Sequence, residues 1–83
     1  MGGIIIEKDK ALMDLEYQFI CDFIKLRKSK GLTQKQLGEL SGVLREKIAK
    51  IEAHINSPQL NSLIEILKPM GYTVSITPIK EEK

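Results

Sequence analysis

The residues of this chain that could bind a ligand are basic, and they are concentrated in its middle. Between Lys25 and Lys50 the sequence has eight lysines and arginines but only two acidic residues, Glu39 and Glu46. This window therefore carries a charge of +6 and the remainder −4, within a total of +2. Concentrated positive charge attracts a polyanion such as nucleic acid. A lysine-rich face exposed to water has the same composition, so charge alone leaves both interpretations open.

Groups suited to catalysis or metal binding are sparse by comparison. The chain has one histidine, His54, and one cysteine, Cys21. It shows no carboxylate pair, no glycine-rich phosphate loop and no cluster with metal-ligand spacing. We therefore expect no enzymatic activity, no metal and no cofactor, and we interpret His54 as a surface residue.

The length of 83 residues favours one domain with a small core. A single cysteine cannot form an internal disulfide and fits a reducing compartment. The start of the sequence lacks the pattern of a signal peptide, and no stretch is long and apolar enough for a membrane span. These features predict a cytoplasmic protein without a membrane partner.

The basic window lies within a series of predicted helices. Apolar periodicity and end signals predict helices over about 10–30, 34–41, 44–53 and 60–68. The second helix has a capping box, Thr33 with Gln36, at its start, and Gly42 follows its end. In the third helix we expect Leu44, Ile48 and Ile51 to point inward.

The C-terminal tail changes to a period of two. Val74 and Ile76 alternate with polar residues, which predicts a β-strand over 72–77. The chain thus divides into an N-terminal arm, residues 1–9, with a candidate strand, a helical domain, residues 10–71, and a C-terminal strand and tail, residues 72–83. We predict a mainly α fold of four to five helices.

The second and third helices are too short to be stable alone in water. Two short helices joined by a tight turn that contains glycine form a helix-turn-helix, which needs a surrounding bundle for its stability. In that motif the second helix is presented to the major groove of DNA. The basic window and the motif therefore point to the same ligand.

The segment "LRKSKGLTQKQLGELSGV", continued by "KIAKIE" and "SPQLNSLIEILKPMG", resembles the lambda-repressor-like, or XRE, family of transcriptional regulators over residues 23–71. The tail "MGYTVSITPIK" further resembles that of small antitoxins of the HigA and HipB kind. The resemblance implies a lambda-repressor-like helix-turn-helix bundle. It also implies a regulator, typically a repressor, that binds double-stranded DNA, and for the tail it implies an antitoxin with a toxin partner.

The resemblance assigns base reading to Arg45, Glu46 and Lys50. Arginine and lysine donate to guanine O6 and N7, whereas a glutamate accepts from the cytosine N4 amine. In a simpler interpretation Glu46 forms only an i, i+4 pair with Lys50.

Other matched positions are implied to contact phosphate or to stabilise the fold. The phosphate contacts are Gln34, Lys35, Lys47 and Arg27. The resemblance also implies a structural ion pair between Arg27 and Glu52. In the alternative interpretation Gln34 only begins its helix.

One position departs from the family pattern. Leu44 stands where the family usually has Ser or Thr, whose hydroxyl caps the reading helix, and losing such a cap typically costs about 1 kcal/mol. This departure supports an alternative function, a protein-interaction module that neutralises a toxin and whose helix-turn-helix has lost DNA binding.

The first helix has two apolar stripes, and we expect them to face different partners. The first comprises Leu12, Leu15, Phe19, Phe23 and Leu26, and the second comprises Met13, Tyr17, Ile20 and Ile24. The first stripe should face the helix-turn-helix, and the second needs another cover.

The tail supplies that cover in our prediction, through pairing with a second chain. A lone strand is not stable, so the Tyr72–Thr77 strand should pair with its counterpart in a homodimer. The predicted interface contains Tyr72, Val74, Ile76, Ile20 and Ile24. The alternative is a monomer in which the tail pairs with Ile4–Ile6 as a hairpin.

Overall fold

A computed structural model describes residues 7–55 and 57–79 of the chain, which form a helical bundle. Its elements are α1 (Glu7–Ser29), α2 (Gln34–Ser41), α3 (Arg45–Glu52), α4 (Leu60–Leu67) and a 3-10 turn (Lys68–Met70). The predicted mainly α fold is confirmed. Because α1 begins at Glu7, residues 7–9 belong to the helix and not to an arm. The candidate strand Ile4–Ile6 lies outside the described residues.

Local signals explain the short second helix and the turn after it. The Thr33 hydroxyl accepts from the Gln36 N–H at 3.0 Å, and the Gln36 side-chain oxygen accepts from the Thr33 N–H at 2.9 Å. Gly42 ends α2 with a φ of +79°, a backbone conformation that favours glycine. These two ends set the helix-turn-helix geometry.

The core gathers residues from all four helices. Its buried apolar residues are Ile20, Phe23, Leu37, Val43, Ile48, Ile51, Ile66, Leu67 and Met70. Leu44 was expected to point inward but is 72% exposed, because it lies at the N-cap before α3 turns its apolar face inward. Leu40, on the apolar side of the short second helix, is also exposed.

The core face of α1 differs from the two predicted stripes. Among residues 13–29 of this helix, the buried ones are Ile20, Phe23 and Arg27, which share one helix face at i, i+3 and i+7. This line takes one residue from each stripe and ends in a charged residue, so a count of apolar residues misses it. Ile20 is 1% exposed and therefore belongs to the core of its own chain rather than to the predicted dimer interface.

The tail after Gly71 has no strand in the described residues 72–79. It is attached at its start, where the Tyr72 N–H donates to the Leu67 carbonyl at 3.1 Å and Lys30 Nζ lies 5.7 Å from the Tyr72 ring centroid. Val74 is half-buried against the core, as is Ile24, whereas Ile76 is fully exposed. A strand requires a hydrogen-bonded neighbour, and within the described chain the tail has none.

Candidate nucleic-acid interface

The α2–α3 unit is held together by a close approach at Gly38. A Cβ atom built at this position would lie 2.9 Å from the Val43 carbonyl oxygen and 3.5 Å from the Arg45 nitrogen. Only a residue without a side chain fits there without displacing the turn. Gly38 thus fixes the distance between α2 and the start of α3. Gly38 had no predicted role, although a glycine inside a helix is a signal of close packing.

Helix α3 presents its polar residues to solvent because its two isoleucines anchor it. Ile48 and Ile51 are buried in the core. The side chains predicted to read bases or to bind phosphate from this helix are all exposed: Arg45, Glu46, Lys47 and Lys50. One short helix therefore carries four exposed charged residues, three basic and one acidic, opposite its buried face.

The start of α3 has no side-chain cap. Leu44 occupies the N-cap and its side chain makes no hydrogen bond there, as its residue type indicates. Its carbonyl nevertheless accepts from the N–H groups of Lys47 at 3.0 Å and Ile48 at 3.1 Å, so the helix begins regularly. Other N–H groups of the first turn have no side-chain acceptor and remain available to an anion or to water.

An open hollow of about 470 Å³ joins the end of α1 to the starts of α2 and α3. Its lining contains Gln34 and Lys35, two predicted phosphate contacts, together with the predicted base reader Arg45. Arg27 and Lys28 also line it, and Lys28 was not among the predicted site residues. No carboxylate is among the lining residues, so the hollow is electropositive and suits a phosphate group.

A second hollow, of about 240 Å³, lies between α3 and the start of α4. Lys47 and Lys50 line it from α3, and Ser57 and Gln59 line it from the loop that follows. Hydroxyl and amide groups are common phosphate donors, and these two were also missed in the sequence. Helix α3 is therefore bordered by basic and polar donors at both of its ends.

Arg27, Glu52 and Gln34 form a partly buried network behind this surface. Arg27 Nε donates to Glu52 Oε2 at 2.7 Å, and Arg27 Nη2 donates to Glu52 Oε1 at 2.9 Å. Arg27 Nη1 donates to the Leu32 carbonyl at 2.8 Å, and Gln34 Nε2 donates to Glu52 Oε1 at 2.9 Å. The ion pair that the resemblance implied is therefore present and links the end of α1 to the end of α3.

The same geometry shows which donors of Arg27 are already used within the protein. Its side chain is 9% exposed and both of its outer nitrogens, as well as Nε, already donate within the protein. Three of the five N–H groups of the guanidinium are used in this way, and Arg27 also lines the hollow that contains Gln34 and Lys35. Its ion pair with Glu52 is structural, and its contact with phosphate stays a prediction.

His54 is exposed, as expected of a surface residue, and it also contributes to the end of α3. It follows α3 with a φ of +61°, where the Ile55 N–H closes the helix on the Lys50 carbonyl at 3.1 Å. Its ring stacks on Tyr17, with centroids 4.4 Å apart. Among residues 7–55 and 57–79 no group of three potential metal ligands comes together. In the same residues no helix has the length and apolar composition to cross a membrane.

Comparisons with known proteins agree with this geometry. The family model HTH_3, described as helix-turn-helix, matches residues 23–76. An uncharacterized HTH-type transcriptional regulator of Haemophilus influenzae is 39% identical over 77 residues, which cover 93% of this chain and 79% of that protein. A solved toxin-antitoxin module from Streptococcus pneumoniae contains a chain with a TM-score of 0.72 and 30% identity, covering 93% of this chain and 85% of that one.

Proposed function

The chain belongs to the XRE-type helix-turn-helix family of DNA-binding transcriptional regulators, and on that premise we propose that it is a repressor that reads a palindromic operator as a dimer. The observation that supports this most strongly is α3. Its buried isoleucines orient an exposed charged face, and basic hollows border it at both ends. This is the arrangement that a helix needs to enter a major groove while its neighbours hold the phosphates.

In this proposal Arg45 and Lys50 donate to guanine O6 and N7, and Glu46 accepts from the cytosine N4 amine. All three side chains are exposed on α3 and none is tied to another part of the described structure by a hydrogen bond. They are therefore available to base edges without losing internal contacts. Arginine suits a bidentate contact, whereas lysine acts as a point donor.

We assign the phosphate contacts to Gln34, Lys35, Lys47 and Arg27, and we add Lys28 because it lines the hollow beside Gln34 and Lys35. Lysines at these positions release condensed cations when they bind phosphates, which makes binding dependent on salt. Three lysines per subunit correspond to about six phosphates for a dimer, so affinity should fall roughly a thousandfold between 50 and 200 mM salt.

The dimer in this proposal forms through the tail. Tyr72 and Ile76 are exposed, the tail has no partner within the described chain, and an antiparallel pairing of two copies around a two-fold axis would supply one. Two reading helices related in this way would contact half-sites about 34 Å apart. We also propose that the protein acts in the cytoplasm and carries out no catalysis.

Fluorescence anisotropy tests the proposal with the promoter DNA upstream of the protein's own gene and a scrambled duplex of equal length. We expect preference for the promoter and the steep loss of affinity with salt described above. Absence of binding to either duplex at 50 mM salt would refute DNA binding. Equal affinity for both would refute operator reading.

A second candidate function is that of an antitoxin, which the similarity to a chain of a toxin-antitoxin module favours. In one form the antitoxin also represses its own operon. In the other form the uncapped start of α3 marks a helix-turn-helix that no longer binds DNA. Co-expression with the product of a small neighbouring gene tests this function. We expect the growth arrest caused by that product alone to be relieved, and arrest that persists would exclude the antitoxin role for that pair.

A further inference from the structure

We infer that Glu52 is a positioning residue for DNA binding, because it orients the amide of Gln34 toward phosphate. The inference rests on the proposed DNA binding. Glu52 ends α3, Gln34 begins α2, and Arg27 lies near the end of α1. One carboxylate therefore joins three helices at the edge of the hollow that Gln34 lines.

The chemistry of the two groups fixes the orientation of the amide. A glutamine amide has a donating NH₂ edge and an accepting oxygen of nearly the same shape, so its partners decide which edge faces them. A carboxylate only accepts hydrogen bonds. The 2.9 Å contact with Glu52 Oε1 therefore requires the Gln34 nitrogen at that point.

The orientation leaves one donor for a ligand. The NH₂ group has two hydrogens, and Glu52 uses one of them. Among the described residues no second acceptor binds this nitrogen. A phosphate that enters the hollow beside Lys35 can accept the remaining hydrogen without disturbing the network.

Burial makes the carboxylate a fixed reference point. The Glu52 side chain is 7% exposed and is held by two bonds from Arg27, so it does not rotate to follow a ligand. Gln34 is thereby ordered when the protein folds, and its conformational entropy is not lost again when DNA binds. A role confined to the ion pair would give Glu52 no such effect on Gln34.

Glu52→Gln separates the two roles. The new amide can still accept from Arg27 through its oxygen. Its NH₂ group, unlike a carboxylate oxygen, does not accept from the Gln34 nitrogen, so it no longer fixes which edge of the Gln34 amide faces it. The Gln34 amide is then free to turn its oxygen toward the phosphate, which repels it. Glu52→Gln should therefore lower DNA affinity by disturbing Gln34. In a protein that already carries Gln34→Ala, the same change should not lower affinity further.

A double-mutant cycle tests this with Glu52→Gln, Gln34→Ala and the double variant. Phosphate contacts do not depend on sequence, so the probe is a fluorescent mixed-sequence 24-bp duplex at 50 mM salt. Binding is measured at a temperature at which circular dichroism shows every variant to be folded. We expect each single change to weaken binding roughly tenfold, and the double variant to bind no more weakly than Gln34→Ala. A double variant that loses roughly a hundredfold, or a Glu52→Gln variant with wild-type affinity, would overturn the inference.

Two controls make the result specific. Lys35→Ala removes a neighbouring phosphate donor that makes no bond to Glu52. The fold-loss of affinity in the Lys35→Ala, Glu52→Gln double variant should therefore equal the product of the two single losses. Gln34→Lys in the Glu52→Gln background should restore most of the lost affinity, since an ammonium donates in any orientation. A rescue that fails would contradict the orientation argument.

Nuclear magnetic resonance of the unaltered protein covers the case in which Glu52→Gln does not fold. We expect one Gln34 side-chain amide proton to exchange slowly in the free protein and the other to shift when the duplex is added. Two protons that exchange fast and do not shift would refute the inference. A wild-type protein that does not bind the duplex refutes DNA binding and the inference together, whereas binding with an additive cycle refutes the inference alone.

Discussion

Substituting Gly38 should show how tightly the start of α3 is held against α2. The Val43 oxygen would lie 2.9 Å from a new Cβ, whereas ordinary carbon–oxygen contacts are about 3.3–3.6 Å, so the turn before Arg45 would have to move by about half an ångström. In Gly38→Ala this strain opposes a gain in helix propensity of about 1 kcal/mol, and we expect nearly unchanged stability.

Gly38→Val adds two methyl groups to the same contact and loses much of the propensity gain. Overpacking of this kind costs about 1–3 kcal/mol. A domain of this length has roughly 4–12 kcal/mol of stability. Each kilocalorie lost lowers Tm by about 4–8 °C at this size, so we expect Tm to fall by roughly 5–20 °C.

Thermal unfolding by circular dichroism measures the change, with Glu39→Val as the matched control. Glu39 is the next residue of the same helix and is exposed, so its substitution carries the cost of a β-branched residue without the contact. The variant Gly38→Val should also bind operator DNA more weakly, because Arg45 is displaced. A Gly38→Val protein with the same Tm as Glu39→Val and with wild-type affinity for DNA would refute the close packing at Gly38.

Three further predictions concern the reading helix, the ion pair and the tail. Lys50→Ala should cost about 1–3 kcal/mol on the operator and relax preference at one base pair, whereas Lys35→Ala should weaken all duplexes alike and lower the salt slope by about one. Identical behaviour of the two variants would refute the division into readers and anchors. Glu52→Ala leaves a buried guanidinium without its partner and should cost about 3–5 kcal/mol in urea unfolding, with sequence preference unchanged. Wild-type stability with altered preference would contradict this role. Deleting residues 72–83 should convert a dimer to a monomer by light scattering, and a full-length protein that stays monomeric at high concentration would exclude the dimer.

The bounds of α2 could be predicted because their signals are local, whereas the start of α1 lies three residues before the predicted one. Thr33, Gln36 and Gly42 act within one or two turns, and α2 has the bounds that they indicate. The ion pair joins residues 25 positions apart, and only resemblance to a family indicated it. Local pattern carries no information on which distant charge neutralises a buried arginine.

Which individual apolar residues are buried was harder to predict than where the helices end. In helices of eight residues too few positions repeat for periodicity to fix the buried face, and Leu40 and Leu44 prove exposed. The buried face of α1 could not be recognised from apolar residues alone, because the charged Arg27 is part of it. The alternating tail has the pattern of a strand, but a strand forms only where a second strand is available to pair with it.

We propose that α3 reads bases while α2 holds phosphates, and an NMR titration is the most direct test. The labelled protein would be titrated with its own promoter duplex and with a scrambled duplex of equal length. We expect amide shifts at Gln34 and Lys35 with both duplexes, and shifts at Arg45, Glu46 and Lys50 that differ between them. Shifts on α3 that are absent, or the same with both duplexes, would contradict it.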